Sequence, residues 1–322
     1  MLMAEHSSAS NQALDFLRRS ADEAMSLDSL RACGALGRWQ ACQSAIANYH
    51  APCIAQAKTF WGGAMEVDIR EAVGSSIFIH GAYEPELSAF FFHYLQPGHT
   101  FVDVGAHVGY FSQLAADRVG TAGSVVAMEP CERTFWRLTK NTQSHKWVQR
   151  HRLAAWNEEA VLSLYDYGPL FSAFNSIGDR RIHESAPPVK STPFDVRAVA
   201  LDDFFQETGI VPDVIKIDAE SAEVQVLEGL HRTLKEIRPI ITLEVGDYDH
   251  LIKGGSPRSA EFLEMAVQSD YLLFEPTLDG IRPHQIMREN YDYGNIVAVH
   301  QEKGVDFEKF FNAGSIQTES LA

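Results

Sequence analysis

The stretch that decides the fold is Phe101–Tyr110, which reads FVDVGAHVGY. An apolar strand ends at Val104, Gly105 permits the sharp turn after it, and Gly109 opens a helix close to the strand and to any ligand. The first N–H groups of such a helix point into the crevice at the carboxyl edge of the strand. The segment therefore predicts an α/β fold with a ligand site at this turn.

The rest of the chain extends this pattern into a doubly wound sheet. Short, fully apolar runs predict parallel strands covered on both faces; they are Thr100–Val104, Ser124–Met128, Val214–Ile217 and Ile240–Val245. Helical segments between them are predicted at Tyr110–Val119, Cys131–Ser144 and Glu220–Ile237. Two late segments, Tyr271–Glu275 and Asn295–His300, predict an antiparallel pair at the edge of the sheet.

The N-terminal third follows a different pattern. Apolar residues recur at helical spacing from Asn11 to Tyr49, whereas Met65–Ile69 and Ser76–His80 alternate like strands. A helix is predicted over Pro85–Tyr94, with its three consecutive phenylalanines in the core. We therefore divide the chain into a mainly helical cap or dimerisation region at 1–79, a catalytic domain at 80–305 and a tail at 306–322.

Composition excludes several functional classes. The chain has 322 residues, 45% of them hydrophobic, and a formal net charge of −16. A surface this acidic repels nucleic acid and anionic lipid, and no run reaches the about 18 apolar residues of a membrane span. Four cysteines without metal-ligand spacing predict reduced thiols, and the N-terminus lacks the pattern of a secretory signal. We expect a cytoplasmic protein that acts on a small molecule, without a nucleic-acid or membrane partner.

Two acids indicate which ligand the crevice takes. The glycines read G-x-x-x-G rather than G-x-G-x-x-G, and Asp103 stands two residues before Gly105. A carboxylate there disfavours a pyrophosphate and suits an ammonium or sulfonium ion. Glu129 follows the next apolar strand, where an acid can accept the hydroxyls of a ribose. A ribose, an amino-acid end and a cation together predict S-adenosylmethionine.

Further carboxylates follow the third and fourth strands. Asp218 ends one strand, and Glu220 and Glu223 come directly after it. Glu223 fits the first turn of the next helix, where the helix dipole favours an acid. These three acids could also hold a divalent metal, although a metal is not favoured. Asp218 is the first candidate for a general base, followed by Glu220 and by Glu244 at the next strand end.

Several segments in combination resemble one family. VDVGAHVGYFS, AMEP, Asn141, IKIDAESAEVQVLEGL and IRPIITLEV are similar to the FkbM family of S-adenosylmethionine-dependent methyltransferases, over about residues 80 to 245. HGAYEPEL, at 80–87, resembles the family's segment upstream of the glycine turn. Ser221 stands where the family usually has glycine, which puts the turn beside the site in doubt. The resemblance implies a class I, Rossmann-like fold, with a mostly parallel seven-stranded sheet, helices on both faces and an antiparallel last hairpin.

The resemblance also implies roles for residues. It implies methyl transfer mostly to oxygen, often on sugars or polyketide-like natural products. The implied cofactor contacts are Tyr83 and Glu84 as a closing segment, Asp103, Gly105 and Gly109 at the methionine end, Glu129 at the ribose and Ala155 at the adenine. Further candidates for cofactor contacts from the same motifs are Ala106, Pro130, His107 as a lid over the cofactor rather than a base, and Asp218 at the strand end that faces the methyl group. A long segment at 168–193 without periodicity is typical of a binding loop, in which Asn175, Ser176 and His183 are candidates for binding the acceptor.

Two other classes compete with a methyltransferase. An NAD-dependent oxidoreductase would use the same sheet, but the glycine spacing argues against it. A non-catalytic scaffold would keep the cofactor fold and use residues 1–79 as a partner surface, yet it has no need for acids at Asp103, Glu129 and Asp218 together.

Overall fold

A computed structural model describes residues 36–47, 52–168, 176–177, 191–247, 259–287 and 290–315. In chain order its elements are α1 (Leu36–Ala47), β1 (Ile54–Lys58), β2 (Ala64–Asp68), α2 (Ala72–His80), α3 (Pro85–Tyr94), β3 (Thr100–Val104), α4 (Tyr110–Val119), β4 (Ser124–Met128), α5 (Glu132–Thr142), β5 (Val148–His151), β6 (Ala154–Trp156), β7 (Ala160–Asp166), β8 (Ser176–Ile177), β9 (Thr192–Ala200), α6 (Leu201–Thr208), β10 (Val214–Ile217), α7 (Glu223–Glu228), α8 (His231–Glu236), β11 (Ile240–Val245), α9 (Ser259–Gln268), β12 (Tyr271–Thr277), β13 (Gly280–Pro283), β14 (Gly294–His300) and α10 (Gln301–Ser315).

The central sheet has the order β13-β12-β14-β11-β10-β3-β4-β5. Strands β11, β10, β3, β4 and β5 are parallel to one another. Strands β14, β12 and β13 complete the sheet, and each runs antiparallel to its neighbours. This confirms the α/β class and all four predicted parallel strands. The sheet has eight strands rather than seven, because Asp279-Gly280 turns the chain back after β12 and adds β13. An Asp-Gly pair is a strong hairpin signal, and the sequence analysis missed it.

The inner strands are apolar throughout because both faces are covered. Phe101 belongs to one hydrophobic cluster, with Leu114 and Phe91, while its neighbour Val102 belongs to a second cluster on the other face, with Ile215. Alternate side chains of a strand point to opposite faces, so a strand between two layers of helices has no polar face to show. The antiparallel pair of β12 and β14 is also confirmed, with β14 next to β11 and β13 at the edge.

The strand predicted at Ser76–His80 is wrong. These residues are the second half of α2, which ends at Gly81, whose N–H bonds the carbonyl oxygen of Ile77. Ile77 and Ile79 are both buried because the helix is covered on more than one side. Gly74 lies so close to the carbonyl oxygen of Asp68 that a Cβ there would overlap it. Tertiary packing therefore makes this segment a helix, although its apolar residues alternate as they do in a strand.

The N- and C-terminal regions pack into the same core as the sheet. In the described part of 1–79, a helix, the β1–β2 hairpin and most of α2 contribute Cys42, Met65 and Ile77 to the cluster that contains Phe101. The described part of the region thus contains a β-hairpin between its helices, and the division at 79/80 falls inside α2. Residues 306–315, expected as a tail, belong to α10, and Phe307 and Phe311 are buried.

A smaller sheet of order β6-β9-β7-β8 lies after β5. Its strand β6 runs parallel to β9, and Ala155 pairs with Val199. Within the described ranges, no helix is long and apolar enough to cross a membrane.

Candidate active site

A cavity of about 810 Å³ opens where β3, β4 and β10 end. It is lined by eight of the residues that the sequence analysis proposed: Tyr83, Gly105, His107, Glu129, Pro130, Ala155, Asp218 and Glu220. Val73, Leu153, Leu164 and Tyr293 also line it. Five proposed residues do not line it: Glu84, Asp103, Ala106, Gly109 and Glu244. The carboxyl ends of neighbouring parallel strands thus bring together residues far apart in the chain.

The glycine turn is shaped by two close approaches. Gly105 has a φ of 75°, and a Cβ there would overlap the carbonyl oxygen of Asp218, so only glycine fits between β3 and β10. Gly109 has a φ of 87° and approaches Leu138 of α5. Glycine at this position therefore lets the start of α4 pack closely on α5, and its place beside the ligand stays a prediction. The Ala106 N–H donates to the carbonyl oxygen of Met128 at 2.9 Å, which ties the turn to β4.

Glu129 is held at the cavity by three hydrogen bonds from the protein. Its Oε1 accepts hydrogen bonds from the Cys131 N–H at 2.9 Å and the Thr134 hydroxyl at 2.7 Å, and its Oε2 accepts one from the His107 N–H at 2.8 Å. A carboxylate offers about four lone-pair sites, so Oε2 can still accept from a ligand hydroxyl. The side chain is held where a ribose could bind it.

His107 is paired with a residue that the sequence analysis missed. Its Nε2 lies 3.0 Å from Oε1 of Glu71, which is buried just before α2. Burial works to lower the pKa of His107, but Glu71, Glu129 and Asp218 raise it above its ordinary value. Nothing in the sequence around Glu71 suggests a site, because it lies in an N-terminal segment outside the motifs.

Asn141, one of the residues that carry the family resemblance, connects this N-terminal segment to the glycine turn. Its Nδ2 donates to the carbonyl oxygens of Val108 and Glu66, and its Oδ1 accepts the Glu66 N–H at 2.8 Å. One amide thus joins β2, α5 and the turn.

Beneath the cavity lies a buried ion-pair network around Lys216. The Lys216 Nζ is 2.9 Å from Oδ2 of Asp218 and 3.8 Å from Oδ1 of Asp103. Asp103 is fully buried and accepts the Ser112 hydroxyl at 2.6 Å, so it lies under the cavity wall rather than in it. Burial works to lower the pKa of Lys216, but Asp218, Asp103 and Glu84 raise it, so the lysine stays charged. A lysine inside the apolar run VIKI was the signal for this network.

The three proposed catalytic acids come together. Oxygen atoms of Asp218, Glu220 and Glu244 lie within 4.8 Å of one another. Glu223 is not part of this group, because its Oε1 accepts the Ala219 N–H at 3.0 Å, as expected for an acid in a first helical turn. The alternative metal set with Glu223 is therefore wrong. Oxygen ligands at the observed spacing could hold a divalent ion, although Lys216 already balances the charge of Asp218.

Tyr293 closes the cavity on the side of Glu244. Its hydroxyl donates to Oε1 of Glu244, and its ring lines both the first cavity and a second one of about 1460 Å³. Glu84 lines the second cavity, and its Oε2 accepts from Asn295 Nδ2 at 3.2 Å. Burial and the nearby Asp218 raise the pKa of Glu84 to about 7. The sequence analysis missed Tyr293, which carries no motif.

The proposed acceptor residues fall on the loop at 168–193. Asn175 and His183 lie outside the described residues. Ser176 begins the short strand β8 and pairs with Tyr165 of β7, and its side chain is outside the described part of the chain.

The fold and the glycine turn at the cavity define a class I S-adenosylmethionine-dependent methyltransferase. The family model described as the methyltransferase FkbM domain matches residues 103–268, about half of the chain. The chain therefore belongs to the FkbM methyltransferase family, and S-adenosylmethionine is its cofactor. The match to a methyltransferase family supports neither the oxidoreductase nor the scaffold alternative. No curated protein matches the chain in sequence.

The chain is similar in fold to several solved structures, including the following three. An FkbM methyltransferase from Methylobacillus flagellatus KT is 18% identical, with 65% of this chain and 47% of that chain covered and a TM-score of 0.40. Fibrillarin from Aeropyrum pernix, solved with bound S-adenosyl-L-methionine, is 11% identical over 66% of this chain and 74% of that chain, with a TM-score of 0.39. An O-methyltransferase from Thermotoga maritima is 13% identical over 76% and 77%, with a TM-score of 0.36. The chain spans about half the length of the Methylobacillus protein.

Proposed function

We propose that the chain methylates a hydroxyl group of a small molecule, a sugar or a polyketide-like natural product. The observation that carries this proposal is the group formed by Asp218, Glu220 and Glu244 beside the cofactor cavity. An alcohol loses its proton as its oxygen is methylated, so a carboxylate within reach of that oxygen assists the reaction. S-adenosylmethionine, when bound, supplies the methyl group.

The cofactor contacts are proposed from the residues that line the cavity. Glu129 would accept the ribose hydroxyls, Ala155 would contact the adenine, and Gly105 and His107 would border the methionine end, with Tyr83 closing the cavity from above. The residues fit this ligand because the hydrogen bonds around Glu129 leave acceptor capacity at Oε2. The close approach of Gly105 to the Asp218 carbonyl oxygen also brings the ends of β3 and β10 together at the cavity. Asp103 supports this site from below through Lys216.

Asp218 is the proposed general base, with Glu220 and Glu244 as further candidates. Lys216 holds Asp218 in position at 2.9 Å, and Asp218 lines the cavity. Glu244 is set back from the cavity and receives the Tyr293 hydroxyl. Positioning of the acceptor oxygen supplies most of the rate enhancement in such a displacement, and the base adds about 10²-fold or more.

The acceptor would approach from the second cavity, where Tyr293 lines both spaces. Asn175, Ser176 and His183 stay proposed acceptor contacts. We further propose a cytoplasmic protein without nucleic-acid partners, supported by the net charge of −16 and by the free thiols of Cys42, Cys53 and Cys131. A homodimer through residues 1–79 is a separate proposal.

Methyl transfer from radiolabelled S-adenosylmethionine to matched panels of hydroxyl, carboxyl and amine compounds tests this function. We expect product only from hydroxyl compounds, in panels of sugars and of polyketide-derived alcohols. The Asp218→Asn variant should lose about 10²-fold or more in turnover while binding S-adenosylhomocysteine within a few fold of the parent. Asp203→Asn, at an exposed position of α6, is the matched control and should keep full turnover. Product from carboxyl or amine compounds alone would refute hydroxyl methylation, and equal losses of turnover and affinity would make Asp218 a binding residue.

A further inference from the structure

Glu71 is a buried carboxylate that has no role in the proposed methyl transfer. It lies in the turn before α2, outside the matched family domain at 103–268, and only 4% of its surface is exposed. Glu71 precedes the helix in the N-cap position, yet its side chain makes no capping hydrogen bond. Burial of a carboxylate costs several kcal/mol unless a partner compensates it. Its ion pair with His107 at 3.0 Å compensates this burial.

His107 stands between Glu71 and the cofactor cavity. Its backbone has a φ of 48°, a left-handed conformation that costs a residue with a Cβ roughly 1 kcal/mol. Two carboxylates hold it there, because Glu71 binds the ring and Glu129 accepts the backbone N–H. The side chain is 19% exposed and lines the cavity. A chain of contacts thus runs from Glu71 through His107 to Glu129.

We propose that Glu71 is a positioning residue for the cofactor, which keeps His107 protonated and in place so that Glu129 stays ionised toward the ribose hydroxyls. The inference rests on the proposed role of Glu129. It assigns a part in cofactor binding to the N-terminal segment, from which Val73 lines the cavity and Glu66 is joined to the glycine turn through Asn141.

The electrostatics of the site agree with this assignment. The charged groups that face His107 are Glu71 before α2, Glu129 after β4 and Asp218 after β10, and together they raise its pKa against the effect of burial. Burial raises the pKa of Glu129 above its ordinary value, and the charge of His107 and the hydrogen bonds from Thr134, Cys131 and His107 work against that rise. The Cys131 thiol also lies near Glu129, and burial raises the pKa of that thiol, which keeps it neutral.

Removal of the Glu71 charge should shift the pKa values of His107 and Glu129 in opposite directions. In Glu71→Gln the pKa of His107 falls, so the imidazolium is lost at a lower pH than in the parent. With less positive charge beside it, Glu129 has a higher pKa and becomes protonated at a higher pH than before. The pH range of tight cofactor binding therefore narrows, because its acid limit, set by Glu129, rises and its basic limit, set by His107, falls.

The test is calorimetric binding of S-adenosylhomocysteine from about pH 5 to about pH 9, with NMR titration of ¹⁵N-labelled histidine. We expect Glu71→Gln to bind about tenfold or more weakly near neutral pH, with a narrower pH range and a lower pKa for His107. Glu66→Gln is the matched control, because Glu66 lies in the same segment but pairs with Lys140 at 2.5 Å, away from the cavity. It should bind as the parent does.

The remaining outcomes separate the inference from the proposed function. Unchanged binding by Glu71→Gln, or a loss that is equal at every pH with the His107 pKa unmoved, would overturn the positioning role. Glu129→Ala is measured in the same series: if it binds like the parent, the ribose role is wrong, and if it alone weakens binding, only the role of Glu71 is wrong. Should Glu71→Gln fail to fold, a His107 pKa in the parent below the ordinary value of about 6.5 would refute the proposal.

Discussion

Ser221 shows what one departure from a family pattern does to a turn. The family usually has glycine here, and the structure keeps the left-handed conformation that glycine favours, with a φ of 77° at Ser221 and 52° at Glu220. Two successive residues with a Cβ in this region store strain directly beside the carboxylate group. The turn therefore keeps its conformation although serine replaces glycine, and we expect the replacement to lower the stability of the fold.

Ser221→Gly should raise the free energy of unfolding by about 1 kcal/mol, because glycine adopts the left-handed conformation without a steric cost. Chemical denaturation of the two proteins measures the difference. Ser163→Gly, at an exposed position in the extended strand β7, is the control and should lower stability instead. A loss of stability in Ser221→Gly would show that the serine side chain contributes more than the strain costs.

Among the site residues, the sequence predicted the acids that directly follow a strand. It did not predict the side chains that distant segments of the chain bring to the site. Asp218 and Glu129 could be placed because strand ends in a parallel sheet share one edge. Asp103 occupies an inner strand position and points into the ion-pair network below the cavity. Glu71 and Tyr293 reach the site from the two outer segments, and no local pattern encodes such a long-range contact.

Among the elements, four parallel strands and the helix Tyr110–Val119 were predictable to the residue, whereas the helix after β10 was not. Strands β3, β4, β10 and β11 match the expected bounds, because burial on both faces makes them continuous apolar runs. The helix expected over Glu220–Ile237 is instead the pair α7 and α8, with Gly229 between them. At Gly229 a Cβ would overlap the carbonyl oxygen of Trp156 in β6, so the chain passes too close to β6 for any other residue.

Gly229→Ala should therefore destabilise the fold by about 1–3 kcal/mol, since the added methyl group pushes α7 and α8 away from β6. The same displacement moves Ala155, the neighbour of Trp156, so the affinity for S-adenosylhomocysteine should fall as well. Thermal unfolding and calorimetry measure the two effects. Gly37→Ala is the control, because nothing lies within 4 Å of that Cβ position in α1. If Gly229→Ala matched Gly37→Ala in stability, the close approach to β6 would be wrong.

Across the whole molecule, the site depends on segments on both sides of the matched family domain. The turn before α3 brings Tyr83 and Glu84, and the start of β14 brings Tyr293 and Asn295, which meet between the two cavities. The family motifs predicted the cofactor side of this arrangement. They could not predict the other side, because it arises where an N-terminal turn meets a C-terminal strand.

The raised pKa of Glu84, which lies where these two segments meet, makes the free energy of unfolding depend on pH. Burial and Asp218 raise its pKa from 4.5 to about 7 in the folded protein, so the unfolded chain releases this proton at a lower pH than the folded one does. Between these two values the folded state binds more protons, and its stability falls as the pH rises. Below the unfolded pKa the carboxyl is neutral in both states, and this contribution vanishes.

Glu84→Gln should therefore be more stable than the parent by on the order of 1–3 kcal/mol at about pH 8, and the difference should shrink toward zero at about pH 4. Urea unfolding of the cofactor-free proteins at both pH values measures it. Glu86→Gln, at an exposed position in the first turn of α3, is the matched control and should change stability little at either pH. A Glu84→Gln variant that is less stable than the parent at about pH 8 would mean that the ionised carboxylate holds Asn295 and the junction together. In that case Glu84 would stabilise the fold as an anion, and burial would not be the dominant influence on its pKa.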